Sequence, residues 1–156
     1  MNEIYLTKEG HRKLMEELEY LKSVRRRELA RAVGEARSQG DISENAEYDA
    51  AKDAQGLNEK KIAELEIKLA GAQIIDNENM SKDEVLIGAT VRLKDLDTQE
   101  ELEYTLVSEL EADYAAGKIS VSSPVGQGLL NHKLNQSLEI KIPAGVLRYK
   151  ILKISR

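Results

Sequence analysis

The sequence predicts an α+β fold: a long antiparallel α-helical hairpin with coiled-coil character, followed by a small antiparallel β-sheet domain with one short helix. Three observations lead there. Apolar residues recur at helical spacing through two successive runs before residue 72. The short stretch Gly40-Asp41-Ile42-Ser43-Glu44-Asn45-Ala46-Glu47-Tyr48 joins those runs, and helices joined by so short a turn lie antiparallel. Beyond Glu84 the pattern changes to short alternating stretches rich in β-branched residues, which read as strands. The expected division is a hairpin domain over residues 1–75 and a β-rich domain over residues 82–156. Between them, Asp76-Asn77-Glu78-Asn79-Met80-Ser81-Lys82-Asp83-Glu84 is polar and aperiodic, and reads as a linker or loop.

Thr7 precedes Lys8-Glu9-Gly10 and a charged periodic run, so it suits an N-cap. Leu14, Leu18 and Leu21 then form a narrow stripe, which Leu29, Val33 and Ala36 resume after a charged gap. That gap holds Arg25, Arg26 and Arg27, and the seam is expected to drift there. Ser38-Gln39-Gly40 ends the first helix, with Gly40 at the position where a positive φ is cheapest for glycine. Asp41 fits the next N-cap, with Glu44 three residues on as in a capping box, and Ser43 is an alternative cap. The second helix is expected to turn Ala46, Ala50, Ala54, Leu57, Leu65 and Leu69 toward the first and to end at Gly71. Arms of about 30 residues would reach on the order of 45 Å, more than a compact core needs, which suggests a probe. The plain alternative is a dimerising coiled coil.

Composition narrows the functions available. The chain carries a net charge of -5, which argues against wrapping duplex DNA with the whole surface. A local basic stripe can still follow a nucleic-acid backbone: Lys22, Arg25, Arg26, Arg27, Arg31 and Arg37 lie on the first arm, and Lys52, Lys60 and Lys61 on the second. Six Tyr with no Phe or Trp leave no aromatic base-stacking platform of the usual kind. No cysteine is present, which removes thiol nucleophiles and thiolate metal sites and fits a reducing compartment. The N-terminus lacks the pattern of a signal peptide, and no apolar run approaches the ~20 residues that span a bilayer, so the expected location is cytoplasmic, with no membrane partner. His11 and His132 are far apart and lack ligand spacing, and no nucleophile triad, P-loop or dinucleotide fingerprint occurs.

In the second half, Val85-Leu86-Ile87 and Thr90-Val91-Arg92-Leu93 read as a strand or two broken by Gly88, with Leu102 to Val107 as hairpin partner. Ile119-Ser120-Val121 is a third strand. Ser122-Ser123-Pro124 opens a short helix through Leu130, with serine as cap and proline in the first turn. Ser137 to Ile142 alternates, Pro143-Ala144-Gly145 turns the chain, and Val146 to Ile154 closes the sheet.

Two long motifs are recognisable. Gly40 through Lys52 closely resembles the hairpin-tip signature of the bacterial Gre transcription elongation factors, and Ile119 through Leu130 resembles that family's C-terminal signature. Leu6-Thr7-Lys8-Glu9-Gly10 and Ile142-Pro143-Ala144-Gly145 match as well, so the resemblance covers essentially the whole chain. It implies an FKBP-like C-terminal domain that docks on bacterial RNA polymerase and a hairpin that enters the polymerase's secondary channel. It also implies a transcript-cleavage factor, not an enzyme alone, that helps the polymerase cleave the 3′ end of a backtracked nascent RNA. By the same resemblance Asp41 and Glu44 are the tip carboxylates, Arg37 and Lys52 contact the RNA, and Ser122, Ser123 and Pro124 lie in the docking segment.

The residue types suit that chemistry. Mg²⁺ prefers oxygen ligands and takes one or two carboxylates while keeping waters. Asp41 and Glu44 are therefore expected to complete a weak site for a second Mg²⁺ shared with the polymerase, and to bind none alone. The chain departs from the family after Leu130, where Asn131 and Asn135-Gln136 replace glycine-containing turns. Asn tolerates the left-handed conformation, so those turns are expected to survive. A monomer is expected. The readings weighed against cleavage stimulation are a channel-binding regulator of the same fold that inhibits or modulates without cleavage, a prolyl isomerase, and a structural coiled-coil dimer. The absence of Phe and Trp disfavours the isomerase.

Overall fold

The computed structural model describes residues 4–38, 45–78 and 80–156. They group into two compact bodies, His11–Ala72 and a second body that takes in the chain up to Gly10 together with Gln73–Arg156.

The first body is a helical hairpin. One arm consists of α1 (Lys8–Tyr20), a π turn (Leu21–Arg25) and α2 (Arg26–Ser38); the other is the single helix α3 (Ala46–Ala70). Leu18, Ile62 and Leu65 form its buried cluster, with Leu14, Leu21 and Leu69 packed around them. Further along, Leu29, Val33 and Ala36 are buried on α2. The pairs Lys22–Glu66 and Arg26–Glu59 run in opposite senses along the two arms, as antiparallel packing requires.

The π turn solves a spacing problem. Leu21 and Leu29 are eight residues apart, one more than a heptad, and a regular α-helix would carry Leu29 about 80° past Leu21. A π turn takes in one extra residue. Its bond runs from the Arg26 N–H to the Leu21 carbonyl, and Leu29 returns to the seam, 5% exposed. The expected drift thus becomes one localised correction.

The facing helix keeps Leu65 and Leu69 on the seam and Ala54 half-buried, as expected, and differs elsewhere from its sequence reading. The inward positions of α3 are Tyr48, Ala51, Gln55, Asn58, Ile62, Leu65 and Leu69, alternating by three and four in an uninterrupted heptad pattern. Ala46 and Ala50 are exposed, and Leu57 is 61% exposed. The position beside it, buried Asn58, takes the seam instead, and its Nδ2 donates to the Leu21 carbonyl at 3.2 Å. A polar residue occupies an apolar slot because the π turn offers it an acceptor there. Around this point Arg26 grips Glu59 at two points, Nε–Oε1 2.8 Å and Nη2–Oε2 2.9 Å.

The second body contains a two-stranded sheet, β1 (Ile4–Leu6) with β2 (Ala72–Ile74), and a five-stranded sheet. The five are β3 (Thr90–Asp95), β4 (Glu101–Val107), β5 (Lys118–Ser120), β6 (Ser137–Ile142) and β7 (Gly145–Ser155), in the order β5-β4-β3-β7-β6. A short helix, α4 (Pro124–Leu129), packs against β6. The class is the α+β class expected, with two corrections. β5 runs parallel to β4, because two 3-10 turns at Glu109–Glu111 and Tyr114–Ala116 bring the chain back across the sheet end. Val85-Leu86-Ile87 is not a strand: Val85 is fully buried in the core, but this segment sits in loop structure that only Glu84 joins, by one bridge to Lys133. Val91, Leu93, Leu106, Leu129 and Ile151 complete the fully buried centre. Asn131 and Asn135 adopt φ of 67° and 68°, so the turns survive without glycine.

Thr7 caps α1 as expected, its Oγ1 accepting from the Gly10 N–H at 2.9 Å. The Glu111 carboxylate accepts from the Thr7 N–H and hydroxyl, and Gly10 leaves it room: a β-carbon there would fall 2.0 Å from Glu111 Oε1. These bonds, with β1, group the opening residues with the β-rich body. The Arg156 guanidinium holds the loop after β2 through Asn77 Oδ1, the Ser81 carbonyl and the Ile87 carbonyl.

Asn58→Ala should lower stability by about 1–2 kcal/mol, the worth of a half-buried hydrogen bond and its filling volume, read by urea unfolding at constant m. The Glu59 carboxyl lies below the ordinary glutamate range, chiefly because Arg26 hydrogen-bonds its charged form. A carboxylate depressed on folding adds stability above its unfolded-state value and loses it as pH falls through the folded-state value. Glu59→Gln should therefore lower the melting temperature near neutral pH, and the difference from the parent should vanish in acid below the glutamate range.

Candidate functional site

The end of α2 and the start of α3 carry the described part of the candidate site. Asp41 and Glu44, with Gly40 and Ser43, lie outside the described residues. The cap of α3 does not: it is Asn45, whose Oδ1 accepts from the Glu47 N–H at 3.1 Å and the Tyr48 N–H at 3.2 Å. The expected caps, Asp41 with Glu44 in a capping box or else Ser43, are thereby corrected. Asparagine caps as well as aspartate. Here its Nδ2 also donates to the Ala36 carbonyl on α2 at 2.5 Å, which a carboxylate cannot do.

Arg37 and Lys52 are placed differently. The Arg37 guanidinium sits over the Tyr48 ring, 5.8 Å from its centre, with Nη2 3.5 Å from the phenol oxygen. This cation–π contact leaves the hydrogen-bonding edge of the guanidinium accessible, since Arg37 is exposed. Lys52 stands one turn beyond Tyr48 on the same helix, exposed, with Nζ 3.2 Å from Gln55 Oε1. Each cation therefore has its own neutral partner, and neither is bound to a carboxylate by a described ion pair. Tyr48 was not singled out from sequence. Its signal was its place, three residues after a capping asparagine and on the inward face of the helix.

Ser122, Ser123 and Pro124 lie where β5 passes into α4. Ser123 is taken up by the fold: its hydroxyl donates to the Ser120 carbonyl at 2.6 Å and accepts from the Gly126 N–H at 3.1 Å, capping α4. Pro124 follows in the first helical turn, exposed. Ser122 is exposed, its hydroxyl 2.7 Å from that of Ser120. Gly126 permits the close packing, since a β-carbon there would fall 2.1 Å from the Ser120 carbonyl oxygen. Much of this motif thus has a local structural reason, and the side chains left facing outward are Ser122 and Pro124.

Among the described residues no group of three or more His, Asp or Glu side chains is arranged to hold a metal ion. None of the described helices is long and apolar enough to cross a membrane.

Comparison with known proteins agrees across the whole chain. Residues 4–74 match the family described as transcription elongation factor, N-terminal, and residues 80–156 match transcription elongation factor, GreA/GreB, C-term. The chain is 50% identical over 151 residues to transcription elongation factor GreA of Pelobacter propionicus, covering 97% of this chain and 96% of the relative. It is 49% identical over 153 residues to the protein of that name from Caldanaerobacter subterraneus subsp. tengcongensis, covering 98% of each. Among solved structures, GreA factor homolog 1 (Gfh1) of Thermus thermophilus is 30% identical, with a TM-score of 0.45 over 99% of this chain and all of that one. With both family models matched and half of the residues shared with GreA over nearly the full length, the chain belongs to the GreA/GreB family of transcription elongation factors.

Proposed function

We propose that this transcription elongation factor rescues backtracked or arrested RNA polymerase by inserting its helical hairpin into the secondary channel and stimulating the polymerase's intrinsic cleavage of the 3′ RNA. The observation that carries the reading is a segment holding Asp41 and Glu44 between two cations, Arg37 and Lys52, neither of which is bound to a carboxylate by a described ion pair. Cations so placed suit an RNA backbone arriving beside the carboxylates.

The donor set fits Mg²⁺: two carboxylates three residues apart offer hard oxygen ligands and no nitrogen or sulfur. Asp41 and Glu44 would hold the second Mg²⁺ only in the complex, where the polymerase supplies the remaining ligands. Bound there, the metal supplies charge neutralisation at the phosphate and a more acidic water. The two carboxylates orient the attacking water by accepting its hydrogen bonds. Water adds at phosphorus, the bond to the upstream ribose 3′ oxygen breaks, and that oxygen takes up a proton, leaving a fresh 3′-hydroxyl and a short fragment with a 5′-phosphate. Arg37 and Lys52 grip the extruded RNA, while the β-rich domain, with Ser122, Ser123 and Pro124 in the segment concerned, holds the channel rim. The factor acts as a monomer in the cytoplasm and is not an enzyme by itself.

In a stalled elongation complex, Asp41→Ala with Glu44→Ala should bind polymerase almost as well as the parent and leave cleavage at the rate of polymerase alone. Undiminished stimulation by that double variant would overturn the mechanism, and slowed elongation without shortened transcripts from the parent would favour the inhibitory regulator. Tyr48→Leu removes the ring beneath Arg37 and should weaken cross-linking to the RNA 3′ end by about two- to fivefold, the scale of an exposed cation–π contact. Tyr48→Phe, which keeps the ring, should stay near the parent.

A further inference from the structure

We propose that Asn45 is a positioning residue for the cleavage reaction, acting as a bracket that ties the last turn of α2 to the first turn of α3; the inference rests on the function proposed above. Every α-helix ends with orphan carbonyls and begins with orphan N–H groups. Ala36 carries one of the last four carbonyls of α2, and Glu47 and Tyr48 carry two of the first N–H groups of α3. One asparagine amide satisfies all three: Nδ2 donates to the Ala36 carbonyl, and Oδ1 accepts from Glu47 and Tyr48.

The groups it joins are those next to the chemistry. Arg37 follows Ala36 directly, and Tyr48, whose ring lies under the Arg37 guanidinium, carries one of the bracketed N–H groups. The bracket therefore holds the RNA-contacting cation in register with the helix that bears Lys52. It also sets how far apart the chain is held on either side of the segment carrying Asp41 and Glu44, and Glu44 is its covalent neighbour. Asparagine meets both demands. Aspartate keeps the acceptor but has no donor for Ala36, and serine or threonine caps the helix but is too short to reach across to α2. A cap alone would be served by any of these residues. The second bond, between helices, is what asparagine adds.

Asn45→Ser and Asn45→Asp isolate that second bond, since both retain a capping oxygen. The test compares them with the unsubstituted protein in cleavage of a backtracked elongation complex. Three readouts are taken: the rate at saturating factor, the factor concentration at half saturation, and helix content by circular dichroism. The expected result is a loss of about tenfold or more in the saturated rate for both variants, the scale set by small misplacements of reacting groups, with half-saturation within about twofold and helix content unchanged. Full-rate cleavage by Asn45→Ser would overturn the proposal, because a cap would then suffice. A loss of helix content or of affinity that accounts for the lower rate would overturn it as well, because the role would be general stability. No stimulation by the unsubstituted protein would instead overturn the cleavage reading itself, and the positioning role with it.

Discussion

A helical hairpin stays closed only while its two seams face each other along their whole length. In this chain one seam carries an extra residue, because Leu21 and Leu29 are eight positions apart. The π turn at Leu21–Arg25 absorbs it, so α1 and α2 present one continuous stripe to the heptads of α3. The Leu21 carbonyl accepts both the Arg26 N–H and the Asn58 side chain. A buried asparagine in an otherwise apolar seam costs stability but specifies one register, since it is satisfied only opposite its acceptor. Everything distal to the π turn inherits that register, including the placing of Arg37 over Tyr48 and of Ala36 opposite Asn45.

Two devices therefore govern the hairpin, and both are asparagines: Asn58 within α3 and Asn45 at its N-cap. Asn58 fixes the register partway along the arms, and Asn45 closes the distal end. Between them the helices hold together with modest apolar content: Leu29, Val33 and Ala36 on one side, and Tyr48, Ala51 and Gln55 on the other. The exposed ion pairs Lys22–Glu66 and Arg26–Glu59 sit beside the π turn, where side chains of the two arms are drawn together. The β-rich body is built on a different principle. Its stability comes from an aliphatic centre between the curled sheet and α4, and its signature residues Ser123 and Gly126 serve the tight passage from β5 into the helix.

Much of this was legible because it is local. Thr7 and Ser123 act as caps, Pro124 stands in the first turn of its helix, and the β6–β7 hairpin turns at Pro143-Ala144-Gly145, each set by the backbone preferences of a few neighbouring residues. The residues Asn131 and Asn135 likewise take the left-handed turns that their side chains tolerate. The candidate site was legible as residue types: two carboxylates and two cations around a break between helices. Its supporting residues were not. By sequence alone Asn45 is one of several polar residues near a helix start, and Tyr48 carries no local signal of a partner.

Sequence alone determined the fold class, the two helical arms, the β-rich half and the motifs that resemble the Gre family, because periodicity, caps and turn residues act over a few positions. Leu65 and Leu69 were placed on the seam of α3 from sequence, but only the tertiary structure decided which residues continue it toward the start of that helix. Apolar Leu57 and polar Asn58 are neighbours, and hydrophobicity favours the first. The structure buries the second, because the Leu21 carbonyl on the opposite arm accepts from its side-chain amide. The cap of α3 was settled in the same way. Asp41, Ser43 and Asn45 are all good capping types, and Asn45 holds the position with a donor engaged on the other helix, a contact that no local pattern encodes.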